Sequence, residues 1–432
     1  MKICVIGTGY VGLVTGAGFA ELGNEVVCVD IDAEKINHLK QGKLPFYEEG
    51  LDELITKNVA RKRLSFTTSL AEAASSAKII FVAVGTPSRA DGEADLSFII
   101  QVAESLIPLL HDYKIIAIKS TVPVGTLKLF SEILELGGKK KGAHFDIAST
   151  PEFLREGDAV YDFFHPSRTV LGYDKPEVGK VLHELFLPLK SPILHTTSAT
   201  AQMIKYAANT FLATRISFIN EIANICEKVG ADVMEVAQGI GYDKRLGEGY
   251  LRAGVGFGGP CLVKDLKALI RLAEENGYEA RFLKSVLEKN EHQMRQIIYK
   301  TKQALQDVLY GKTIALLGLT FKAGTSDVRN SLSLKILKHL KKEGAKIKAY
   351  DPKGMEEAKH IIPEVTFTSD AYEAALDSHI LLILTAWEEF ATLDFEKLKK
   401  TMKQPLIIDG VNLLDADSMR KLGFVYQGVG RG

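Results

Sequence analysis

Short apolar runs alternate with longer segments of helical periodicity over the first 170 residues of the chain. The run Ile79–Val84 is apolar throughout, as is typical of a parallel strand buried on both faces. This alternation is typical of βαβ units and predicts a doubly wound α/β domain. The predicted strands are Lys2–Gly7, Glu25–Asp30, Ile79–Val84, Lys114–Lys119 and Asp146–Ala148.

The same strand pattern begins again near residue 311. Runs at 312–318, 345–351 and 379–384 match, in order, those at 2–7, 25–30 and 78–83. We therefore predict a second Rossmann-like domain. Because it lacks the full glycine pattern of the first, we do not expect it to bind a second dinucleotide.

A long helical segment lies between the two α/β regions. Residues 197–229 contain no proline, Ser198 is a suitable N-cap and Gly230 a suitable terminator. A helix of this length predicts either a connection between the two domains or a subunit interface, and a core helix with a break is the alternative. Further helices are predicted at Val263–Glu275 and Arg281–Tyr310, and the glycine-rich stretch Gly239–Gly259 predicts a loop.

Composition narrows the class of protein. The chain has 432 residues, 54 Lys plus Arg and 54 Asp plus Glu, so it lacks the basic surplus of a nucleic-acid binder. Its four cysteines do not suggest a secreted disulfide framework. No apolar run approaches the roughly 18 residues of a membrane span, and glycines interrupt the apolar N-terminal segment. We expect a cytoplasmic protein with no membrane or nucleic-acid partner.

The first strand leads into a glycine pattern for a dinucleotide. Gly7, Gly9 and Gly12 form Gly-Thr-Gly-Tyr-Val-Gly before a helical segment, and Asp30 ends the next strand. In such units the glycines permit a tight turn, close approach of a pyrophosphate and helix packing, while the acidic residue binds the ribose hydroxyls. Asp30 favours NAD over NADP. Lys35 is either an adenosine-side contact or a solvated helix residue.

Two loops follow later strands of the same sheet. Thr86 lies in Gly-Thr-Pro and Thr121 in Ser-Thr-Val-Pro-Val-Gly-Thr. Ligands of open α/β sheets bind at the carboxyl ends of the strands, so both threonines are candidates for the nicotinamide side. Ordinary loop capping is the alternative.

One cysteine differs from the others in its context. Cys261 lies where the glycine-rich loop meets a predicted helix, and nearby backbone N–H groups at such a position favour a reactive thiolate. Cys4, Cys28 and Cys226 fall in predicted strands or a helix and are interpreted as core residues. Asp265 follows Cys261 by one helical turn, with Lys264 beside it.

Lys205 and Asn209 are spaced i, i+4 on the long helix and share a face. A desolvated cation beside an amide can stabilise developing oxyanion charge. A surface pair is the alternative.

Six motifs in order resemble those of the UDP-glucose/GDP-mannose dehydrogenases. They are Gly-Thr-Gly-Tyr-Val-Gly at 7–12, Ser-Thr-Val-Pro-Val-Gly-Thr at 120–126, Pro-Glu-Phe-Leu-Arg-Glu-Gly at 151–157, Lys-Tyr-Ala-Ala-Asn at 205–209, Gly-Phe-Gly-Gly-Pro-Cys at 256–261 and Phe-Lys-Ala-Gly-Thr-Ser-Asp-Val-Arg-Asn-Ser at 321–331. The resemblance implies oxidation of the C6 hydroxyl of UDP-glucose to a carboxylate, by two hydride transfers to NAD. Bound thiohemiacetal and thioester intermediates would form on Cys261.

The resemblance also implies roles for individual residues. Catalysis would use Cys261 as nucleophile, Lys205 and Asn209 at the C6 oxygen, Asp265 and Glu152 in proton transfer and water activation, and Thr121 in ordering water or cofactor. The cofactor side would comprise Gly7, Gly9, Tyr10, Val11, Gly12, Asp30, Lys35, Thr86, Thr121, Glu156, Lys264 and Arg329. The substrate side would comprise Glu152, Phe153, Leu154, Lys205, Asn209, Tyr250, Leu251, Arg252, Ala253, Gly254, Phe257, Gly258 and Lys322, with Arg245 reaching in from an adjacent subunit. No metal site is expected.

The implied organisation has three regions. Residues 1–196 would form the NAD-binding Rossmann domain, 197–310 a central helical dimerisation region that carries the cysteine loop, and 311–432 a Rossmann-like domain for the UDP-sugar. We expect a homodimer. The same chemistry on GDP-mannose or a UDP-N-acetylhexosamine remains an alternative, because pocket shape sets base and sugar selectivity. A single-hydride β-hydroxyacid dehydrogenase or a non-catalytic NAD-binding protein would need no cysteine at this position.

Overall fold

The computed structural model describes residues 1–89 and 92–431. These residues form two units, one of residues 1–208 with 267–278 and the other of 209–266 with 279–432. Two of the three unit boundaries, at 208/209 and 266/267, fall inside helices, so the units differ from the three regions expected from the sequence, whose limits stay a prediction.

The sheet of the first unit has eight strands in the order β3-β2-β1-β4-β5-β6-β7-β8. All neighbours are parallel except β6 and β7, which are antiparallel. The order of the strands reverses between β1 and β4. In such folds, ligands bind at the carboxyl ends of the strands at this switch point. The five predicted strands are confirmed, and β3, β7 and β8 are additional. The strands are β1 (Lys2–Ile6), β2 (Glu25–Val29), β3 (Leu64–Thr67), β4 (Ile79–Val82), β5 (Lys114–Ile118), β6 (Phe145–Ser149), β7 (Thr169–Tyr173) and β8 (Ile193–Thr196).

Helices cover both faces of this sheet and bury two separate apolar clusters against it. Single turns of 3₁₀-helix follow two of them at Ile107–Leu109 and Leu187–Leu189. The helices are α1 (Tyr10–Glu21), α2 (Ala33–Lys40), α3 (Leu51–Ala60), α4 (Leu70–Ser75), α5 (Ser97–Leu106), α6 (Thr126–Leu136), α7 (Ala159–Phe164) and α8 (Pro176–Phe186).

The second unit contains a six-stranded parallel sheet in the order β11-β10-β9-β12-β13-β14. This arrangement confirms the fold class predicted from the repeated strand pattern. The strands are β9 (Thr313–Leu317), β10 (Lys346–Tyr350), β11 (Thr366–Phe367), β12 (Ile380–Ile383), β13 (Leu406–Asp409) and β14 (Val425–Gln427).

Asp351 follows β10 as Asp30 follows β2, but its carboxylate has internal partners. Oδ2 of Asp351 accepts from the amides of Leu319 at 2.7 Å and Thr320 at 3.1 Å, and from the indole of Trp387 at 3.1 Å. The side chain is fully buried. The carboxylate of Asp351 therefore accepts hydrogen bonds from within the second unit and stabilises the packing there.

The remaining helices include two that contain unit boundaries, α9 and α11. Among the described residues, no helix is both long enough and apolar enough to cross a membrane. These helices are α9 (Ser198–Val229), α10 (Val233–Gly241), α11 (Leu262–Glu275), α12 (Arg281–Ala304), α13 (Leu332–Lys342), α14 (Met355–Ile361), α15 (Ala371–Ala375), α16 (Glu388–Ala391), α17 (Phe395–Thr401) and α18 (Ala416–Lys421).

The long helix α9 runs for 32 residues and joins the chain of the first unit to that of the second. Its continuity confirms the predicted helix. Thr197, rather than Ser198, provides the N-terminal side-chain cap, because its Oγ1 accepts from the amide of Thr200 at 3.2 Å. Gly230 follows the helix with φ of 75°, a left-handed conformation that favours glycine and ends the helix as expected.

Two predicted boundaries are wrong. Helix α12 ends at Ala304 instead of Tyr310, because Gln306 and Asp307 adopt φ values of 56° and 58° that no α-helix allows. Helix α10 extends to Gly241, so the first residues of the predicted loop are helical. The density of glycines therefore predicted a loop that begins too early in the chain.

Candidate active site

The three glycines before α1 have distinct structural roles. A Cβ at Gly7 would lie 2.6 Å from the carbonyl oxygen of Ala83, and one at Gly12 would lie 1.8 Å from the carbonyl oxygen of Gly7. A Cβ at Gly9 would meet nothing within 4 Å. Gly7 and Gly12 are therefore required by packing, whereas Gly9 leaves the start of α1 open for the close approach of a phosphate.

A cavity of about 530 Å³ adjoins this turn at the carboxyl ends of β1 and β2. Its volume falls within the range of small-molecule sites. Its walls include the glycine turn, Asp30, Lys35 and one face of α5. Tyr10, at the start of α1, stacks on Phe46 with ring centroids 3.7 Å apart.

Asp30 is held in place by four donors. Oδ2 accepts from the amide of Thr8 at 2.8 Å, the hydroxyl of Thr8 at 2.7 Å and Nζ of Lys35 at 3.1 Å. Oδ1 accepts from the amide of Asp32 at 3.1 Å. Burial by itself raises the pKa of Asp30, but these hydrogen bonds outweigh it and hold the pKa below its ordinary value.

These residues fit a dinucleotide. An open helix N-terminus can receive a pyrophosphate, and an ionised carboxylate beside it can accept from ribose hydroxyls. Lys35 contacts Asp30 and lines the cavity, so the structure does not place it as a solvated helix residue. Val11 is partly buried at the start of α1.

The two threonine loops touch each other. Oγ1 of Thr86 donates to the carbonyl oxygen of Thr121 at 2.8 Å, which links the loop after β4 to the loop after β5. Thr86 is buried and Thr121 is partly exposed. The hydroxyl of Thr86 thus has a structural partner, whereas Thr121 presents part of its surface at the ligand-binding edge of the sheet.

A buried ion pair lies beyond β6 in the first unit. Nζ of Lys205 on α9 is 3.0 Å from Oε1 of Glu152, and the two side chains are only 5% and 8% exposed. Oε2 of Glu152 accepts from the amide of Leu154 at 2.5 Å. Burial raises the pKa of Glu152, but Lys205, the Leu154 amide and the charge of Lys119 together lower it below its ordinary value. Glu152 is therefore an ionised carboxylate.

Phe153 extends this cluster with an aromatic face. The guanidinium of Arg168 lies 3.5 Å from its ring centroid and Nζ of Lys205 lies 5.4 Å from it. Cations at these distances are attracted to the ring. Lys119 and Arg168 were not singled out in the sequence, because a lysine at the end of a strand and an arginine before one carry no distinctive spacing.

A second buried carboxylate orders the segment that contains Glu156. Oε2 and Oε1 of Glu48 accept from the amides of Gly157 and Ala159, each at 2.6 Å. Glu48 is 3% exposed. It was missed in the sequence because it is more than 100 residues from its partners. Glu156 is partly buried in the segment that Glu48 holds.

Three predicted residues form a chain of contacts in the second unit. Nδ2 of Asn209 donates to Oδ2 of Asp265 at 2.5 Å, and Nζ of Lys264 lies 2.6 Å from Oδ1. Asp265 is 1% exposed. Both carboxylate oxygens are therefore engaged, which fixes the orientation of Asp265.

Cys261 immediately precedes α11, and its carbonyl accepts from the amide of Asp265 at 2.8 Å. None of the four cysteines forms a disulfide, and Cys261 is exposed while Cys4, Cys28 and Cys226 are buried. Burial raises the pKa of the Cys4 and Cys28 thiols, Cys28 to about 12, so neither is a nucleophile at neutral pH. An exposed cysteine immediately before a helix N-terminus is the kind of position in which nucleophilic thiols occur.

The glycine-rich segment before Cys261 is pinned by two asparagines. Oδ1 of Asn290 accepts from the amide of Phe257 at 2.7 Å, while Nδ2 of Asn290 donates to the Phe257 carbonyl at 2.9 Å. Oδ1 of Asn220 accepts from the amide of Gly254 at 2.9 Å. A Cβ at Gly258 would lie 2.7 Å from the carbonyl oxygen of Asn330. The segment therefore has one packed conformation, in which only glycine fits at 258.

The stretch 250–254 alternates between exposed and buried side chains. Tyr250 and Arg252 are exposed, and Leu251 and Ala253 are buried. Nη2 of Arg252 donates to the carbonyl of Asn412 at 3.3 Å. The backbone of this stretch is consequently anchored by alternate side chains.

Three other predicted binding residues lie in the second unit. Nη2 of Arg245 lies 2.6 Å from Oδ2 of Asp243, and its side chain is 88% exposed. Nε of Arg329 donates to Oδ2 of Asp327 at 2.8 Å. Lys322 is partly buried. Within the part of the chain that the structure describes, no group of three or more His, Cys, Asp or Glu residues could hold a metal ion.

Comparison with known proteins gives the family. Three family models match in order: the NAD binding domain of the UDP-glucose/GDP-mannose dehydrogenase family at residues 1–190, its central domain at 199–292 and its UDP binding domain at 315–416. The chain belongs to this family. The resemblance deduced from the six motifs is confirmed.

Individual relatives cover the chain from end to end. UDP-glucose 6-dehydrogenase TuaD of Bacillus subtilis is 47% identical over all of this chain and 93% of the relative. A UDP-glucose 6-dehydrogenase of Rhizobium meliloti is 44% identical over the whole of both chains. Among solved structures, a UDP-glucose dehydrogenase from Pyrobaculum islandicum matches with a TM-score of 0.93 and 34% identity, over 100% of this chain and 98% of the other.

Proposed function

We propose that this protein oxidises UDP-glucose to UDP-glucuronate with two molecules of NAD. The observation that carries the proposal is the exposed Cys261 at the start of α11, next to the ordered Asp265. A thiol there suits a four-electron oxidation, because a sulfur adduct retains the aldehyde between the two steps. The end-to-end similarity to proteins named UDP-glucose 6-dehydrogenase supports UDP-glucose as the substrate.

The cofactor binds at the edge of the first sheet. Gly9 and the amides that start α1 receive the pyrophosphate, and Asp30 accepts from the adenosine ribose hydroxyls. The charge of Asp30 disfavours a 2′-phosphate, so NAD is preferred over NADP. NAD held by these residues would supply the hydride acceptor for each oxidation. Thr86, Thr121, Glu156, Lys264 and Arg329 belong to the cofactor side by their family motifs.

The oxidation proceeds through covalent adducts of Cys261. Loss of the C6 hydroxyl proton and a hydride gives an aldehyde, to which the Cys261 thiolate adds; uptake of a proton by the resulting oxyanion gives a thiohemiacetal. Loss of a second hydride and the hydroxyl proton gives a thioester. Water then attacks the thioester carbonyl, and the carbon–sulfur bond breaks to release the carboxylate and regenerate the thiolate.

Polar side chains support these steps. Lys205 and Asn209 stabilise negative charge on the C6 oxygen, Asp265 transfers protons, and the ionised Glu152 activates the hydrolytic water. Thr121 orders water or cofactor.

The substrate contacts follow the family motifs. The backbone of residues 250–254, Phe257 and Gly258 holds the diphosphate and sugar, and oriented amides of this kind favour anions. Phe153, Leu154 and Lys322 complete the pocket, while Arg245 reaches the sugar of an adjacent subunit. The protein acts in the cytoplasm.

A homodimer forms through α9. Phe211, Phe218 and Ile225 repeat at seven-residue intervals along this helix and are 60%, 51% and 50% exposed. An apolar stripe of this kind is favourable only when covered. A Phe218→Asp variant should sediment as a monomer, and a Tyr310→Asp control, altered at an exposed residue off the stripe, as a dimer. A dimeric Phe218→Asp protein would contradict this assignment.

A substrate panel tests the function. Purified protein with NAD should reduce the cofactor rapidly with UDP-glucose and at least about 100-fold more slowly with GDP-mannose or UDP-N-acetylhexosamines. Preference for either alternative would overturn the substrate assignment.

A cysteine substitution tests the covalent route. Cys261→Ala should lose at least about 1,000-fold in UDP-glucuronate formation, whereas the control Cys226→Ala should stay near wild type. Wild-type rates in Cys261→Ala would exclude the proposed adducts.

A further inference from the structure

Lys119 is a buried lysine whose ammonium has no hydrogen-bond partner among the residues that the structure describes. It follows β5, is 5% exposed, and its nearest aromatic contact is the ring of Phe186, whose centroid lies 5.7 Å from Nζ. No hydrogen bond from its ammonium to any residue of 1–89 or 92–431 is formed. Lys114, at the other end of the same strand, is the contrast: its buried Nζ donates to the carbonyl of Ser75 at 3.0 Å and to Asp112 at 2.9 Å.

The strand pairing brings Lys119 next to the Glu152 cluster. Ile118 of β5 pairs with Ser149 of β6, and the amide of Thr150 donates to the carbonyl of Ile118 at 2.9 Å. Lys119 and Glu152 therefore leave the sheet from adjacent strands at the same edge. The charge of Glu152 favours the protonated form of Lys119, and the charge of Lys205 disfavours it.

Burial dominates the balance of these effects. It lowers the pKa of Lys119 to about 8, with a further lowering by Lys205 and a partial recovery from Glu152. Lys119 in turn helps to lower the pKa of Glu152. Arg168 is the third cation that Glu152 influences. Lys119 can thus change charge near neutral pH, beside the ion pair of Lys205 and Glu152.

We propose that Lys119 is a positioning residue whose buried charge keeps Glu152 ionised and oriented while Lys205 serves the oxygen of the substrate. The proposal rests on the proposed function for the roles of Glu152 and Lys205. When Lys205 turns toward a developing oxyanion, the negative charge of the buried Glu152 carboxylate loses part of its compensation. Lys119, a second cation without a hydrogen-bond partner among the described residues, supplies that compensation without competing for the substrate.

A spectroscopic titration tests the coupling without any turnover. In protein labelled with ¹³C at the glutamate carboxyl carbon, the Glu152 signal is identified by its loss in Glu152→Gln. In the wild type this signal should change position with a midpoint near pH 8, as Lys119 loses its proton. In Lys119→Met it should remain at the high-pH position, and in Lys119→Arg, whose charge is fixed, at the low-pH position.

Lys114→Met is the matched control, because it removes a buried lysine from the same strand away from Glu152. It should retain the transition near pH 8. A wild-type signal without this transition, or its loss in Lys114→Met as in Lys119→Met, would overturn the proposal. The wild-type titration stands even if Lys119→Met does not fold.

Enzyme kinetics separate positioning from general stability. At pH 7, Lys119→Met should lower kcat by about tenfold with less than about a twofold change in the KM for UDP-glucose, and Lys119→Arg should restore kcat to within about threefold. Equal losses in the Met and Arg variants would show that shape rather than charge matters and would overturn the proposal. Failure of the wild type to oxidise UDP-glucose would instead refute the proposed function and leave the titration result intact.

Discussion

Nζ of Lys205 lies 3.0 Å from Oε1 of Glu152, with both side chains almost fully buried. Two charges removed from water are tolerated only when each compensates the other. The pair therefore places an ionised carboxylate and a cation at the ligand-binding side of the first unit. Apolar residues in the same positions would avoid the cost of burying these charges.

Breaking this pair from one side should destabilise the protein more than removing both charges. Lys205→Met leaves the Glu152 carboxylate buried without its ion-pair partner and should lower the free energy of unfolding by about 3 kcal/mol. The double variant Lys205→Met/Glu152→Gln should recover at least about 1 kcal/mol of that loss. Urea unfolding of the two single variants and the double variant measures the coupling, and additive losses would contradict it.

The glycines of the first turn should respond differently to the same substitution. Gly12→Ala introduces a Cβ 1.8 Å from the carbonyl oxygen of Gly7 and should lower the free energy of unfolding by about 3 kcal/mol. Gly9→Ala has room for its Cβ and should change stability by about 1 kcal/mol or less, yet weaken NAD at least about tenfold. Calorimetry of unfolding and of NAD binding distinguishes them. Normal NAD affinity in Gly9→Ala would contradict binding of the pyrophosphate at this turn.

Asp30 should determine the choice of cofactor. Asp30→Asn removes the negative charge that strengthens hydrogen bonds from the ribose hydroxyls and disfavours a 2′-phosphate. The ratio of kcat/KM for NADP over NAD should therefore rise by about tenfold or more. Glu34→Gln, an exposed change in the first turn of α2, is the control and should leave the ratio unchanged. An unaltered ratio in Asp30→Asn would exclude the ribose contact.

Local signals predicted the elements that local chemistry controls. The apolar run at Ile79 identified β4, and Gly230 identified the end of α9, because burial on both faces and a left-handed residue each leave a mark in the sequence. The predicted end of α12 was wrong because Gln306 and Asp307 take left-handed conformations, and no glycine at these positions indicates them in the sequence.

Contacts between distant residues account for what the sequence could not predict in the site. Glu48 orders Gly157 and Ala159 across more than 100 residues. Burial lowers the pKa of Lys119, and Glu152, in the segment after the neighbouring strand β6, partly offsets this effect. Neither residue has a spacing that predicts its partner. Cys261 could be selected because its signal, a cysteine between a glycine-rich loop and a helix, is local.

Stability should depend on pH through Lys119. Its pKa of about 8 lies below the ordinary value, so between about pH 8 and 10.4 the unfolded chain holds this proton more strongly than the folded protein. The free energy of unfolding contributed by this group therefore rises with pH in that window. Relative to Lys119→Met, the wild type should gain about 2 kcal/mol from pH 7.5 to 9.5 in denaturant unfolding. An equal or smaller slope in the wild type would contradict the lowered pKa.

The number of cofactor molecules reduced per substrate tests the four-electron oxidation most directly. With excess NAD and limiting UDP-glucose, the final NADH absorbance, divided by the UDP-glucose consumed, gives this ratio. The covalent route through Cys261 predicts two NADH for each UDP-glucose, with UDP-glucuronate as the product. One NADH for each UDP-glucose, with a released aldehyde, would contradict it.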